Sequence, residues 1–242
     1  GKVDRANFLD SEPAILTTVD TDFAKKLAHF LKKWNEIKKE KGKETALDFL
    51  LYGAATLLNS KREYAVKTRD LAYNDQPVPI GYGQTCSQPS LVAFMADILD
   101  LQEGTKVLEV GTGCGYSSAI TLNLIGKSGF LTTVEIVPQL AEAAKKNLNQ
   151  TFKSEDLEGR VRVINGDGSV GYKEEAPFDR IYLTAGVKLD SFNPGLLVEQ
   201  LNPKKGILVF PEIDGALIKW VYRNGIRVEE KNYEKVAFVP LV

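Results

Sequence analysis

The stretch VLEVGTGCG, which runs from Val107 to Gly115, decides the fold. An apolar run interrupted by Glu109 leads into three glycines at alternating positions, and a helical pattern starts at Tyr116. Glycine tolerates positive φ and lets the backbone approach a ligand closely. A strand that enters such a turn and continues into a helix is typical of α/β folds that bind nucleotides.

The spacing of these glycines argues against a dinucleotide site. A dinucleotide turn follows the pattern G-x-G-x-x-G, whereas here the third glycine comes one residue early, at Gly115, and Tyr116 occupies its usual place. The G-x-G-x-G form with Glu109 before it resembles the first motif of the Rossmann-like methyltransferases. A glycine turn with a purely structural role is the alternative.

Short apolar runs alternate with helical patterns along most of the chain, which predicts a mostly parallel sheet covered on both faces. The predicted strands are Lys106–Val110, Phe130–Val134, Val161–Ile164, Arg180–Leu183 and Ile207–Phe210. The predicted helices are Ser90–Leu99, Tyr116–Ile125, Gln139–Thr151 and Pro194–Gln200. Near the end, Leu217–Arg223 and Tyr233–Val239 lie on either side of the turn signal Asn224-Gly225. The second of these runs is expected to end the sheet as an antiparallel strand.

The first part of the chain, residues 1–70, is expected to form a helical extension before a domain over residues 71–242. Apolar residues between Phe23 and Ile37 recur at helical spacing, and a second helix is predicted from about Thr45 to Leu58. Lysine is in excess between Lys25 and Lys43. This excess is either a solvated helix face or a contact for an acidic partner.

Acidic residues stand at the ends of two further predicted strands. Glu135 ends the second strand, and Gly166-Asp167-Gly168 follows the third. A carboxylate at the tip of such a strand can accept hydrogen bonds from ribose hydroxyls, and an aspartate with its flanking backbone can pair with an adenine edge. An ordinary exposed acid and an ordinary turn are the alternatives. Open α/β sheets bind ligands at these carboxyl ends, which favours a site.

Composition limits the setting and the partners. The formal net charge of the 242 residues is −1, so bulk charge does not favour binding to nucleic acid. The two cysteines, Cys86 and Cys114, do not make a disulfide framework and favour a reducing, cytoplasmic setting. No apolar run reaches the roughly 18–20 residues that a membrane-spanning helix needs, so no membrane contact is expected. Nothing in the sequence indicates an oligomeric state.

A predicted loop rich in proline and glycine precedes the helix Ser90–Leu99. Residues 75–89 read DQPVPIGYGQTCSQP, which strongly resembles the substrate loop of the protein-L-isoaspartate O-methyltransferases. The resemblance covers about residues 70–242. It continues through the glycine turn, Thr133-Val134-Glu135-Ile136-Val137-Pro138, Gly166-Asp167-Gly168-Ser169 and Phe238-Val239-Pro240-Leu241.

The resemblance implies a class I, doubly wound methyltransferase fold that uses S-adenosylmethionine and releases S-adenosylhomocysteine. Ser87 would lie at the acceptor carboxylate, with Gln84 and Thr85 shaping its pocket; a helix N-cap is the alternative role for Ser87. The substrate would be a polypeptide that bears isoaspartate, as in protein repair, or an aspartate of one dedicated peptide. The residues that would hold the cofactor are Glu109, Gly111, Gly113, Gly115, Glu135, Asp167 and Gly168.

The residue types that are scarce fit this chemistry. The one histidine, His29, falls in the predicted N-terminal helix, and no set of residues has metal-ligand spacing. A carboxylate acceptor needs neither a base nor a metal, because its pKa near 4 leaves it ionised at neutral pH. Such an enzyme has to desolvate and align the reacting groups.

One departure from the family pattern bears on the substrate. The family usually has Pro-Val-Gly where this chain has Pro211-Glu212-Ile213-Asp214, and two acids near the cleft would disfavour an anionic acceptor. Two other classes stay open. A protein that binds S-adenosylmethionine without transferring its methyl group is disfavoured by the intact Gln84, Thr85 and Ser87. A nicotinamide dehydrogenase is disfavoured by the position of Gly115.

The glycine spacing generates a direct prediction about ligand choice. Isothermal titration calorimetry should detect binding of S-adenosylmethionine and S-adenosylhomocysteine and no binding of NAD, because the turn lacks the third glycine of a dinucleotide site. Binding of NAD without binding of S-adenosylmethionine would overturn this interpretation.

Overall fold

The computed structural model describes residues 76–213 and 215–241. The strands in this part of the chain are β1 (Val78–Gly81), β2 (Gln84–Cys86), β3 (Lys106–Val110), β4 (Phe130–Glu135), β5 (Val161–Asn165), β6 (Arg180–Leu183), β7 (Ile207–Pro211), β8 (Ala216–Arg223) and β9 (Ile226–Lys235). The α-helices are α1 (Pro89–Ile98), α2 (Tyr116–Leu124), α3 (Pro138–Thr151), α4 (Ser154–Leu157) and α5 (Gly195–Val198). Short 3-10 helices cover Gly168–Val170 and Lys173–Glu175.

Seven strands form one sheet in the order β5-β4-β3-β6-β7-β8-β9. Strands β3 to β7 pair in parallel, and β8 and β9 are antiparallel to their neighbours. The chain runs outward from β3 to β4 and β5 and then returns to β6 on the other side of β3. This reversal makes a switch point between β3 and β6, outside whose carboxyl ends open α/β sheets bind ligands.

The central strands are buried on both faces, as a parallel sheet between two helical layers requires. Every residue of β6 and of β7 is buried. One apolar cluster includes Leu99, Ile120 and Leu122, and a second includes Phe178 and Phe210. The predicted doubly covered, mostly parallel sheet is therefore confirmed.

The predicted elements of this domain match the structure closely, with one exception among the helices. The five predicted parallel strands are all present, and β4, β5 and β7 each extend one residue further than expected. The helix expected over Pro194–Gln200 is only the four-residue α5. Backbone turns on both sides of α5 take up the remaining residues.

The prediction for the last strand was wrong in its position. Strand β9 begins at Ile226, directly after the turn, instead of at Tyr233, so β8 and β9 form a tight hairpin. Asn224 and Gly225 both have positive φ, 53° and 75°, as a type I′ turn requires. All residues of β9 except Tyr233 are exposed. Apolar patterning could not reveal this strand, because backbone pairing with β8 defines it.

The segment predicted as one long loop before α1 contains a small hairpin. Strands β1 and β2 pair antiparallel, with Val78 opposite Cys86. Tyr82 and Gly83 connect them and both have positive φ, 54° and 70°. The loop prediction therefore missed a two-stranded element that stands apart from the main sheet.

The predictions for residues 1–70, including both helices, the lysine excess and His29, lie outside the described residues. Within residues 76–213 and 215–241, no helix has the length and apolar character needed to cross a membrane.

Candidate functional site

A cavity opens at the carboxyl ends of β3, β4 and β6, at the switch point of the sheet. Segments that are far apart in sequence meet there: the β1–β2 hairpin, the turns after four parallel strands (β3, β4, β5 and β6), and Val239–Leu241. The cavity is lined by Ile80, Gln84, Thr85, Val110, Gly111, Gly113, Val134, Glu135, Ile136, Gly168, Thr184, Ala185, Val239, Pro240 and Leu241. Six of the predicted site residues are in this set: Gln84, Thr85, Gly111, Gly113, Glu135 and Gly168.

The glycine turn forms one wall and depends on glycine at Gly111. Its φ is 95°, and a Cβ at this position would collide with Thr184 Oγ1. The Thr184 hydroxyl donates to the carbonyl oxygen of Gly111 at 2.5 Å. Gly115, which does not line the cavity, has a φ of 86° and packs against Ala144 of α3. Gly111 thus shapes the cavity, whereas Gly115 allows α2 and α3 to approach.

Glu135 is the best-placed polar group in the cavity. Its side chain is almost fully buried, and each carboxylate oxygen accepts one backbone hydrogen bond. Gly113 N–H donates to Oε2 at 2.8 Å, and Val137 N–H donates to Oε1 at 3.0 Å. A carboxylate has about four acceptor positions, so Glu135 keeps capacity for hydroxyl groups of a ligand in the cavity.

Asp167 and Gly168 take different positions at the end of β5. Gly168 lines the cavity, and a Cβ there would lie 2.6 Å from Val110 Cγ1, so the backbone is close to β3. Asp167 is exposed and does not line the cavity. Its Oδ1 accepts from Ser169 N–H at 2.8 Å, which caps a short 3-10 helix.

Glu109 is fully buried and does not line the cavity. Its carboxylate accepts hydrogen bonds from three hydroxyls, those of Ser118, Thr133 (2.7 Å) and Tyr182 (2.7 Å). Thr133 also contacts Thr112 of the glycine turn, with 2.6 Å between the hydroxyl oxygens. The carboxylate therefore joins β3, β4, β6 and α2 behind the turn.

An ionised Glu109 can only accept hydrogen bonds, and this determines which hydroxyl donates and which accepts throughout the network. Each neighbouring hydroxyl has one proton and donates it to the carboxylate, so Thr133 must accept from Thr112. Tyr182 likewise must accept from Ser117 and Thr121, whose oxygens lie 3.1 and 3.0 Å from its own. Burial raises the pKa of Glu109, and the hydroxyl donors oppose that rise. Burial, with the nearby Glu109 charge, also raises the pKa of Tyr182 well above its usual value.

The predicted acceptor residues divide between the cavity wall and its surroundings. Gln84 and Thr85, both in β2, line the cavity. Ser87 is partly buried and lies just beyond that wall. The N-cap of α1 is Gln88, without a side-chain cap. The alternative role of Ser87 as the helix cap is therefore wrong.

Sequence reasoning missed several residues that line the cavity. Thr184 and Ala185, which follow β6, line the cavity, and so does the closing segment Val239–Leu241. Two backbone hydrogen bonds hold this segment beside them: Gly186 N–H donates to Val239 O at 2.7 Å, and Leu241 N–H donates to Gly186 O at 2.8 Å. The motif Phe238-Val239-Pro240-Leu241 was part of the family resemblance, but no pattern in it indicates where it folds back.

Of the two acids after β7, the structure describes only Glu212. Glu212 pairs with Val187 through the backbone and does not line the cavity. Asp214 lies outside the described residues. Among residues 76–213 and 215–241, no group of three or more His, Cys, Asp or Glu side chains could hold a metal ion.

The buried Glu109 generates a prediction about stability and pH. Its pKa in the folded protein lies above the unfolded value near 4.3. The stabilisation linked to the protonated form is present below the unfolded pKa and is lost as pH rises through the folded pKa. The free energy of unfolding of the wild type, relative to Glu109→Gln, should therefore decrease as pH rises from about 4 towards neutrality.

Urea unfolding at several pH values measures this difference. The matched control is Glu103→Gln, which changes an exposed carboxylate in the same way. If the difference in unfolding free energy between the wild type and Glu109→Gln stays constant with pH, the raised pKa of Glu109 is contradicted.

Comparisons with known proteins identify the family of this chain. A family model described as Protein-L-isoaspartate(D-aspartate) O-methyltransferase (PCMT) matches residues 53–242. Protein-L-isoaspartate O-methyltransferase 2 of Archaeoglobus fulgidus is 47% identical over 175 residues, which cover 70% of this chain and 74% of that protein. Protein-L-isoaspartate O-methyltransferase of Methanothrix thermoacetophila is 45% identical over 176 residues, or 72% of this chain and 79% of the other.

A solved structure supports the fold. The crystal structure of a Plasmodium falciparum protein described as a protein-L-isoaspartate O-methyltransferase, in complex with S-adenosyl-L-homocysteine, aligns with a TM-score of 0.63. The alignment covers 88% of this chain and 98% of the other, with 23% identity. This likeness concerns the fold, while the family model and the sequence matches show that the chain belongs to the protein-L-isoaspartate(D-aspartate) O-methyltransferase family.

Proposed function

We propose that this protein transfers a methyl group from S-adenosylmethionine to the carboxylate of L-isoaspartyl residues in other polypeptides, as a step in protein repair. One observation carries the proposal: Gln84 and Thr85 line the same cavity as the glycine turn and Glu135. The residues expected at the acceptor and those expected at the cofactor thus line one cleft. Membership of the family, whose curated relatives are named for this activity, supports the same conclusion.

The cavity wall fits a nucleoside cofactor. Glu135 has acceptor positions left for ribose hydroxyls, and Ile136, which is 43% exposed, offers an apolar surface beside them. Gly111 and Gly113 let the backbone approach the rest of the cofactor closely. Gly168 and its neighbour Asp167 would meet the adenine edge.

Glu109 supports this site indirectly. It holds Thr133, and through it Thr112, from behind the glycine turn. Its buried carboxylate also provides negative charge near a site for a cationic cofactor, in surroundings where charge is weakly screened.

The acceptor side needs orientation rather than activation. When bound, S-adenosylmethionine supplies a methyl group on a positively charged sulfur, and the acceptor carboxylate is already ionised at neutral pH. Gln84 and Thr85 place neutral groups in the wall, which can hold a carboxylate without pairing with it as a cation would. The closing segment Val239–Leu241 adds apolar side chains to the cavity wall, which would help to exclude water from a bound substrate.

The substrate is a polypeptide, and we place the reaction in the cytoplasm. Cys86 and Cys114 are both free thiols, which supports a reducing compartment.

A paired-peptide assay with a Ser87→Ala variant tests the function. The wild type should methylate an isoaspartyl peptide and not its aspartyl twin. Ser87→Ala should bind S-adenosylhomocysteine normally but lose roughly ten- to a hundredfold in kcat/KM, which is the effect of one positioned hydrogen bond of about 1.4–2.7 kcal/mol. Ser128→Ala, at an exposed turn before β4 and therefore at the opposite end of the sheet, is the matched control.

The assay tests the role of Ser87 separately from the proposed function. Unchanged kcat/KM in Ser87→Ala would remove Ser87 from the acceptor site and leave Gln84 and Thr85 as its groups. A wild type that ignores isoaspartyl peptides would contradict the proposed function.

A further inference from the structure

The segment after β5, which would meet the adenine end of the cofactor, has little regular structure of its own. It consists of two three-residue 3-10 helices, Gly168–Val170 and Lys173–Glu175, joined by Gly171 and Tyr172. Gly168 is the one residue of this segment that lines the cavity. Because 3-10 helices have poorer hydrogen-bond geometry than α-helices, the position of Gly168 depends on contacts from elsewhere in the chain.

The side chain of Gln200 supplies such contacts. Gln200 lies two residues beyond α5 and is only 2% exposed. Its Oε1 accepts from Tyr172 N–H at 2.7 Å, and its Nε2 donates to Val170 O at 2.7 Å and to Leu196 O at 2.8 Å. The amide therefore pairs with the backbone groups on either side of Gly171, as the peptide groups of a neighbouring strand do in a sheet.

The backbone of Gly171 lies directly against this amide. A Cβ at Gly171 would collide with both polar atoms of the Gln200 side chain, so the segment can wrap around the amide only because this residue has no side chain. Gln200 is itself fixed, because Phe178 N–H donates to its backbone oxygen at 2.8 Å and its own N–H donates to Leu197 O at 3.0 Å. The amide is thus a rigid support for the segment after β5.

The support reaches the cavity through one turn of helix. Gly171 N–H donates to Gly168 O at 2.9 Å, so the residue beside the amide is hydrogen-bonded to the residue in the cavity wall. Gly168 also packs closely on β3, because a Cβ there would lie 2.6 Å from Val110 Cγ1. A shift of the turn would therefore move Gly168 and the adjoining Asp167 together.

We propose that Gln200 is a positioning residue for the adenine end of S-adenosylmethionine. This role rests on the proposed function, in which Gly168 and Asp167 meet the adenine edge. Gln200 does not line the cavity, so it acts by holding residues 168–172 and not by contact with the base. The adenine is at the other end of the cofactor from the reacting methyl group, so misplacing its wall should weaken binding without slowing transfer from the bound cofactor.

Kinetics of Gln200→Met and Gln200→Glu test this role. Methionine keeps the length of the side chain but has neither an N–H donor nor a carbonyl acceptor, and glutamate cannot donate to Val170 O. Each variant should raise the KM for S-adenosylmethionine about tenfold and leave kcat within about twofold of the wild type, because unpaired buried backbone groups would release the turn. If the charged variant does not fold, the neutral methionine variant decides.

Asn202→Ala is the matched control. The Asn202 amide donates to Asp179 Oδ1 at 2.7 Å, just before β6 and therefore at the opposite end of the sheet from the cavity. This variant should lower the melting temperature without raising the KM for S-adenosylmethionine. An equal rise of KM in Asn202→Ala would reduce Gln200 to a general structural role and overturn the proposal.

Discrimination between bases is a readout that a general loss of stability would not change. Calorimetry compares S-adenosylhomocysteine with its deaminated form, S-inosylhomocysteine, in which a carbonyl replaces the amino group of the base. The wild type should prefer the adenine form at least about tenfold, because a carboxylate accepts from the amino group but repels the carbonyl. Gln200→Met should lose most of this preference, and hydrogen exchange at the Tyr172 amide should become faster. Asn202→Ala should keep both properties.

Three results would overturn the role of Gln200. They are a wild type without preference between the two bases, a folded Gln200→Met variant with wild-type KM and base preference, and unchanged protection of the Tyr172 amide in that variant. If the wild type does not methylate isoaspartyl peptides, the proposed function fails, while calorimetry with S-adenosylhomocysteine and hydrogen exchange still decide whether Gln200 positions the adenine wall.

Discussion

The carboxylate of Glu135 connects the parts on which this site depends. It is held by the N–H groups of Gly113 and Val137, and so it joins the end of β4 to the glycine turn that follows β3. A buried carboxylate is expensive unless its oxygens are hydrogen-bonded, and here the partners are backbone groups that cannot move away independently. The cavity, the turn and the start of α3 are consequently built around one charged group.

A second carboxylate supports the first from inside the sheet. Glu109 fixes three hydroxyls on neighbouring elements and reaches the glycine turn through Thr133 and Thr112. One acid thus faces the cavity while the other stabilises the structure behind it. Both depend on the parallel order of β3 and β4, whose carboxyl ends lie side by side. The antiparallel hairpin β8–β9 at the far edge plays no part in this arrangement.

Much of the fold could be predicted because the signals are local. Strands such as β3 and β6 are continuous apolar runs, and the Gly111–Gly115 turn needs backbone angles that favour glycine. Strand β9 was misplaced because its residues are charged and exposed, so pairing with β8 defines it. In the site, Glu135 could be predicted because it stands at the end of a strand. The side of β3 on which the Glu109 side chain lies could not be predicted, because that strand is buried on both faces. Thr184 and the closing segment Val239–Leu241 reach the cavity through contacts distant in sequence, which one sequence does not reveal.

The affinity of Glu135→Gln for S-adenosylhomocysteine, measured by calorimetry beside its melting temperature, tests this account most directly. The amide keeps the shape of the side chain but has lost the charge and one of its two accepting oxygens. Binding should weaken by about 1–3 kcal/mol, whereas Glu142→Gln, an exposed position on α3, should bind as the wild type does. A folded Glu135→Gln variant with wild-type affinity would contradict the claim that this carboxylate holds the cofactor.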